Sequence, residues 1–427
     1  MRILIISRSA WRNDNNIGNT LSNIFSGIDN LDIYNLYFRD ELPNNNLAKL
    51  SFSISEIQLI KSRINKNKVG NIVYNDNVNT INNNNEKYIY NLSKKSKKNS
   101  ILLFVRELIW CNNIWKNSNL NNFLDIVKPD IIFMPVFACF YPYKVLKYIQ
   151  SYANAKVVLF HADNNYVFEK FSLFSIGWLY KKILRKYISW AVRVSSLNYV
   201  ISDIQKVEYE ELFNIKCSLL YKVGDFSGEF LLKNKLNQTI KIVFTGNISS
   251  GRWKTLALLG NVLKEINKNN VKALLYIYTA TPMTKKMNEM LDIKNSVCLM
   301  GAVSASNIKD IQEDADILLH VESFSLEEKL EVRMSFSTKI VDYLTAGRCI
   351  LAIGPNDVAS IDYLIKNNAA FVISDENNIK EKLEKLLLNK TLINDYAEQA
   401  WECGKRNHQK DILQEEFYKD LISAIKQ

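Results

Sequence analysis

The chain has 427 residues with 47% hydrophobic content, and its 55 Lys and Arg against 44 Asp and Glu give a formal net charge of +11. That length exceeds what one ordinary core covers, so two domains are expected, and no uncharged apolar run of about eighteen residues marks a membrane-spanning helix. The six cysteines (Cys111, Cys139, Cys217, Cys298, Cys349, Cys403) are scattered, with no CxxC pair or neighbouring histidine, which opposes a zinc site and a disulfide framework and suits a reducing cytoplasm. The positive charge leaves nucleic acid, an anionic membrane surface and phosphorylated substrates open as partners. A Lys- and Asn-rich composition that merely reflects codon usage is the weaker alternative.

The start, Met1 to Arg8, turns polar too quickly for a signal peptide and reads as a first buried strand. Predicted strands follow at 3–7, 33–38, 131–134, 157–161, 199–202 and 218–221, with helical stretches between them, the pattern of a doubly wound parallel sheet. The asparagine- and lysine-rich stretch from about 65 to 99 reads as a surface insertion. The pattern pauses around Gly224 and Asp225, which sets the expected boundary between a domain over 1–225 and a second over 226–408. In the second, strands are predicted at 242–245, 274–278, 297–300, 317–321, 350–353 and 371–373. A last helix over about 409–427 is expected to pack back on the first domain. Two α/β domains of this kind bind ligands at their strand carboxyl ends, toward a shared cleft.

Four segments carry chemistry. The loop Ser7 to Thr20 follows the first strand, and Gly18 lets backbone approach a ligand there, although it lacks GxGxxG and, taken by itself, reads first as an ordinary βα turn. The loop from Thr245 to Lys254 places Gly246, Asn247, Arg252 and Lys254 ahead of a helix. A planar guanidinium beside a lysine suits a diphosphate, while an isolated Arg-x-Lys is also consistent with a solvated basic loop. In Ser335 to Pro355, Ser337 and Thr338 are N-cap types, Lys339 adds charge, and Gly347 ends the helix before a buried strand. Such a helix start attracts phosphate, and Asp342 one turn in can reach a sugar hydroxyl. His161 closes the strand at 157–161, where it either contacts a sugar or serves as a hydrogen-bonded structural histidine; Asp163 is equally an N-cap, and His320 has the same ambiguity. From 168 to 194 aromatic residues alternate with Lys181, Lys182, Arg185 and Lys186, a pattern of either an interfacial helix or a core stripe with a solvated edge.

The stretches RILIISRSAWRNDNNIGNTLSNIF, FTGNISSGRWKTL and LLHVESF…FSTKIVDYLTAGRCILAIGP, taken in that order, resemble a GT-B glycosyltransferase of the family-four type found in bacterial capsule and exopolysaccharide synthesis. The resemblance spans nearly the whole chain. It implies two Rossmann-like α/β domains facing a cleft, and a retaining, metal-independent transfer of a sugar from a UDP-, GDP- or other nucleoside diphosphate donor to a glycan or lipid-linked acceptor. It further implies no cofactor, no nucleic-acid partner and a cytoplasmic location, with the basic-aromatic helix as a peripheral contact to the membrane's inner face. By this resemblance Arg252 and Lys254 hold the diphosphate and stabilise its departure, Ser337, Thr338 and Lys339 add phosphate contacts, and Asp342 holds the ribose in place of the usual Glu. Gly18, Gly246 and Asn247 line the donor, and His161 lies near the reacting sugar. The family's other Glu stands eight residues earlier, where this chain has Met334; Glu322, Glu328 and Glu331 are nearby alternatives. A nucleotide-sugar 2-epimerase and a non-catalytic glycan- or surface-binding protein are the alternative functions.

Overall fold

The computed structural model describes residues 1–13, 16–65, 69–74, 100–167, 176–233 and 235–426, which form two compact units. The first comprises Met1–Val200, Lys206–Leu220 and Gln414–Gln427, and the second Ile201–Gln205 and Tyr221–Leu413.

The first unit is built on eight strands: β1 (Arg2–Ser7), β2 (Asp32–Tyr37), β3 (Leu50–Ser53), β4 (Asn71–Val73), β5 (Ile131–Pro135), β6 (Lys156–His161), β7 (Leu197–Val200) and β8 (Ser218–Leu219). Their order is β4-β3-β2-β1-β5-β6-β7-β8, and only β4 runs antiparallel to its neighbour. Ile3, Leu4, Ile5 and Ile6 have no exposure, as a strand covered by helices on both faces requires. The strand order reverses between β1 and β5, where Ile3 pairs Ile33 on one side and Ile131 on the other. The strands β3 and β4 had no sequence signal. Leu50–Ser53 alternates in buried Ser51 and Ser53 instead of aliphatics, so no apolar run announces it. β4 falls inside the stretch read as an insertion; 75–99 lies outside the described residues, as does 168–175 of the basic-aromatic stretch.

The last helix, Lys410–Lys426, closes this unit through its C-terminal part. Phe417 meets Phe25, Phe133 and Tyr199, and the Tyr199 hydroxyl donates to Asp420 at 2.9 Å. Gln414 Nε2 donates to the carbonyls of Ile24 and Ser26 at 3.1 and 2.9 Å, satisfying the open end of the helix Asn16–Phe25.

The second unit carries β9 (Ile240–Thr245), β10 (Ala273–Tyr278), β11 (Val297–Gly301), β12 (Ile317–Val321), β13 (Cys349–Ile353) and β14 (Phe371–Ile373) in the order β11-β10-β9-β12-β13-β14, all parallel. β12 and β13 are buried throughout. The reversal here falls between β9 and β12, so the carboxyl ends of these two strands, Thr245 and Val321, flank a crevice of the type that receives nucleotides in open parallel sheets.

Candidate functional site

The chain leaves β9 through Gly246 at φ 127°. The backbone conformation demands glycine, and a Cβ here would stand 2.8 Å from Cδ and 2.9 Å from Nζ of Lys339, so the end of that side chain would have to shift. We expect Gly246→Ala to destabilise by about 1–3 kcal/mol and to push Lys339 aside. A urea unfolding midpoint unchanged from wild type would refute that assignment. Asn247 then accepts from the Ser249 amide at 2.6 Å and the Thr281 hydroxyl at 3.1 Å, holding the turn. Ser250 and Gly251 both take positive φ, and the helix Arg252–Ile266 begins.

The first helical residue, Arg252, reaches across to the end of β12. Its Nε and Nη2 donate to the two oxygens of Glu322 at 3.0 and 2.9 Å, a two-pronged pair. Glu322 is 1% exposed. Thr255 anchors the same turn by donating to the Glu322 carbonyl at 2.8 Å. Lys254, one position past the intervening residue, pairs with Glu328, whose carboxyl is held below the usual range by that ammonium. Gly251 is confined by the same acidic neighbour: a Cβ there would meet Ser323 Oγ at 2.6 Å and Glu328 Cδ at 2.9 Å.

Lys339 opens the helix Lys339–Thr345 and turns its ammonium inward, 4.2 Å from the centre of the Phe244 ring. That nitrogen is buried and has no hydrogen-bond partner among the described residues. Burial lowers its pKa to about 7, and the Arg252 guanidinium adds to the shift against partial relief from Glu322 and Asp342. His320 of β12 is fully buried beside it, with neither ring nitrogen hydrogen-bonded among the described residues and Nε2 3.5 Å from Glu322. Burial, then Lys339 and Arg252, holds its pKa well below 6.5, so the ring is neutral and the close approach to Glu322 is not an ion pair. An ammonium and an imidazole with unmet hydrogen-bonding capacity, together at a topological switch point, make a polar site suited to a phosphate.

The helix start itself contributes less than its sequence pattern promised. It is seven residues long, Thr338 makes no side-chain cap, the Ser337 amide is taken by Ser360 Oγ at 3.0 Å, and the Ile340 amide by the Ser337 carbonyl. Anion attraction therefore rests on the Lys339 side chain more than on backbone N–H groups. Asp342, one turn on, forms an ion pair with Lys222 and stays 40% exposed. Met334 is buried, and its carbonyl accepts from Ser202 at 2.7 Å. Sequence reasoning had no means to see Lys222, which lies 120 residues away from its partner.

In the first unit, Gly18 lies in the helix Asn16–Phe25, and a Cβ there would stand 1.9 Å from the Arg12 carbonyl oxygen. The glycine thus lets the loop fold against its own helix. Arg12 Nη1 donates to the Leu42 carbonyl at 2.9 Å. His161, last in β6, is fully buried, with Nε2 3.2 Å from Asn198 Oδ1 and the ring edge-on to Tyr209; Nδ1 has no partner among the described residues. Burial lowers its pKa to about 4, so it is neutral at physiological pH. Among the described residues no group of three or more His, Cys, Asp or Glu is placed to hold a metal ion, and no helix is long and apolar enough to cross a membrane.

No protein-family model and no curated protein matches the chain. Solved structures do match. HepE from Anabaena, crystallised with UDP, superposes with a TM-score of 0.64 and 11% identity over 99% of this chain and 100% of that one. The chain has the GT-B fold. WaaG, a glycosyltransferase involved in lipopolysaccharide biosynthesis, gives a TM-score of 0.57 at 12% identity over 97% of this chain and 98% of that one. TarM gives 0.53 at 17% identity over 71% of this chain, and the match spans 58% of TarM's length. The GT-B fold accounts for both switch points, one in each Rossmann-like unit.

Proposed function

We propose that the chain is a glycosyltransferase that moves a sugar from a nucleoside diphosphate donor, with UDP as the first nucleotide to test, to a glycan or lipid-linked acceptor in cell-surface polysaccharide synthesis. The observation that carries this reading is the buried, unpartnered Lys339 ammonium set beside Gly246 and Arg252 at the switch point of the second unit. UDP in the HepE structure and the activity of WaaG support it. In the step envisaged, the acceptor hydroxyl oxygen attacks the anomeric carbon as the bond to the diphosphate oxygen breaks. The hydroxyl proton passes to the departing diphosphate, and configuration is retained. Lys339, Arg252 and Lys254 neutralise the charge that develops on that leaving group, and Asp342 takes the ribose. This arrangement calls for no metal.

A cytoplasmic location with peripheral membrane contact belongs to the same reading. Along the helix Ile176–Val194, Tyr180, Leu184 and Ile188 are core, while Ile176 and Leu179 are exposed beside Lys181, Lys182 and Arg185. That leaves a narrow apolar and basic edge of the kind that adsorbs to anionic lipid. The whole reading is tested by incubating the protein with a panel of nucleotide sugars and candidate acceptors. A transfer product is expected; an epimerised sugar in its place, or a folded protein that binds no nucleoside diphosphate, would overturn it.

A further inference from the structure

The first unit has its own switch point, between β1 and β5, and charged groups gather there that the donor site does not use. Arg8 follows β1 directly, and Cys139 and Tyr141 lie a few residues past β5. Arg106 and Glu107 come from the helix Ser100–Ile109. β1 and β5 are parallel neighbours with Ile5 opposite Phe133, so Arg8 leaves the sheet beside the segment that carries Cys139 and Tyr141, and Arg8 and Arg106 both bear electrostatically on the Cys139 thiol. Arg106 also lies 5.3 Å from the centre of the Tyr141 ring, which in turn stacks on Trp110 at 4.5 Å.

The hydrogen-bond accounts of these groups do not close. Glu107 is 1% exposed; one of its oxygens accepts from the Tyr180 hydroxyl at 2.8 Å and the Phe140 amide at 3.1 Å, and the other, also buried, has no partner among the described residues. The Arg106 Nε is buried and likewise without a partner among the described residues, and its Nη2 stands 3.9 Å from Glu107, beyond hydrogen-bond reach. Arg8 carries no hydrogen bond or ion pair to any described residue. Glu56, which accepts from the Trp110 indole at 3.5 Å, is a further carboxylate that bears on Cys139. Native interiors rarely leave several such groups unmet without a ligand or water to meet them.

We propose that Arg8 and Arg106 form an oxyanion site that holds a phosphate group of the acceptor. Guanidinium forks match phosphate oxygens in pairs, and a site at strand carboxyl ends is where a parallel sheet presents ligands. The partly unsatisfied Glu107 carboxyl lies beside it to meet a neighbouring hydroxyl. Calling the ligand an acceptor rests on the glycosyltransferase reading; the phosphate site itself does not.

The test is a thermal-shift titration of the full chain with inorganic phosphate, against acetate and chloride at equal ionic strength, with and without saturating UDP. Phosphate is expected to raise the melting temperature in both series, because the second unit's site is already filled when UDP is present. Arg8→Gln and Arg106→Gln should each lose at least half of that rise and keep the rise given by UDP. Arg8→Gln is the safer variant to fold, because Arg8 is only half-buried and leaves no partner stranded. A further rise with glycerol 3-phosphate would identify a soluble phosphorylated acceptor, and a further rise with phosphatidic acid vesicles that is lost in Arg8→Gln a lipid headgroup; both support the site, whereas no rise with inorganic phosphate overturns it. A phosphate rise matched by acetate and chloride, or one intact in Arg8→Gln, overturns it. Failure of UDP to bind leaves this result standing and counts against the donor reading alone.

Discussion

Arg252→Ala is expected to abolish the thermal shift given by UDP and to cut transfer by about 100- to 1,000-fold, the scale seen when one preorganised group facing developing charge is removed. The same substitution strands Glu322, 1% exposed, without its guanidinium. Removing one partner of a buried pair costs about 3–5 kcal/mol, so a lower melting temperature will accompany the loss of binding. The two effects separate in the double variant Arg252→Met with Glu322→Leu. Apolar side chains of similar size remove the buried charge along with its partner, and stability should return toward wild type while the UDP response stays absent. A full UDP shift in Arg252→Ala, or one regained by the double variant, would remove Arg252 from the donor site.

The second large effect concerns protons. With a pKa of about 7, the Lys339 ammonium is mostly deprotonated at pH 8 in the free protein. A diphosphate arriving beside it restores the charged form, because an opposite charge at short range favours ionisation. UDP binding at pH 8 should therefore take up nearly one proton, and at pH 6 almost none. Affinity should fall close to tenfold per pH unit above about 7. Calorimetry in two buffers of different ionisation enthalpy reads the uptake directly. Lys339→Met should erase both the uptake and the pH slope while weakening UDP binding. Equal proton counts at pH 6 and 8 would sink the idea.

Stability carries the same signature with a definite sign. The folded pKa of Lys339 lies below its unfolded value, so between about pH 7 and 10.5 the unfolded chain binds more protons and the lysine's contribution rises with pH. Below pH 7 both states carry the charge, and the penalty for burying it is fully present. His320, neutral in the folded chain, adds its own slope lower down, where an unfolded histidine titrates at about pH 6.5, and there too stability rises with pH.

The two-unit α/β architecture was legible because buried parallel strands advertise themselves. Runs such as Ile3 to Ile6 and Ile350 to Ile353 have no exposed face, and only continuous aliphatic sequence satisfies that. The βα loop from Gly246 to Lys254 was legible for a similar local reason, since glycine, a tight turn and paired cations sit within a few residues. β3 escaped notice because its buried positions include serines.

The sequence by itself determined the order of strands and helices apart from β3 and β4, the loops proposed to meet a nucleotide, and the cationic side chains they carry. Only the tertiary structure decided which of those cations are free. Glu322 holds Arg252 because β9 and β12 are sheet neighbours, Lys222 finds Asp342 across 120 residues, and Lys339 loses water because Phe244 and Gly246 pack around it. Periodicity and propensity act over a few residues, whereas pairing and desolvation depend on which strands lie side by side. The charge state of the site is accordingly a property of the sheet order.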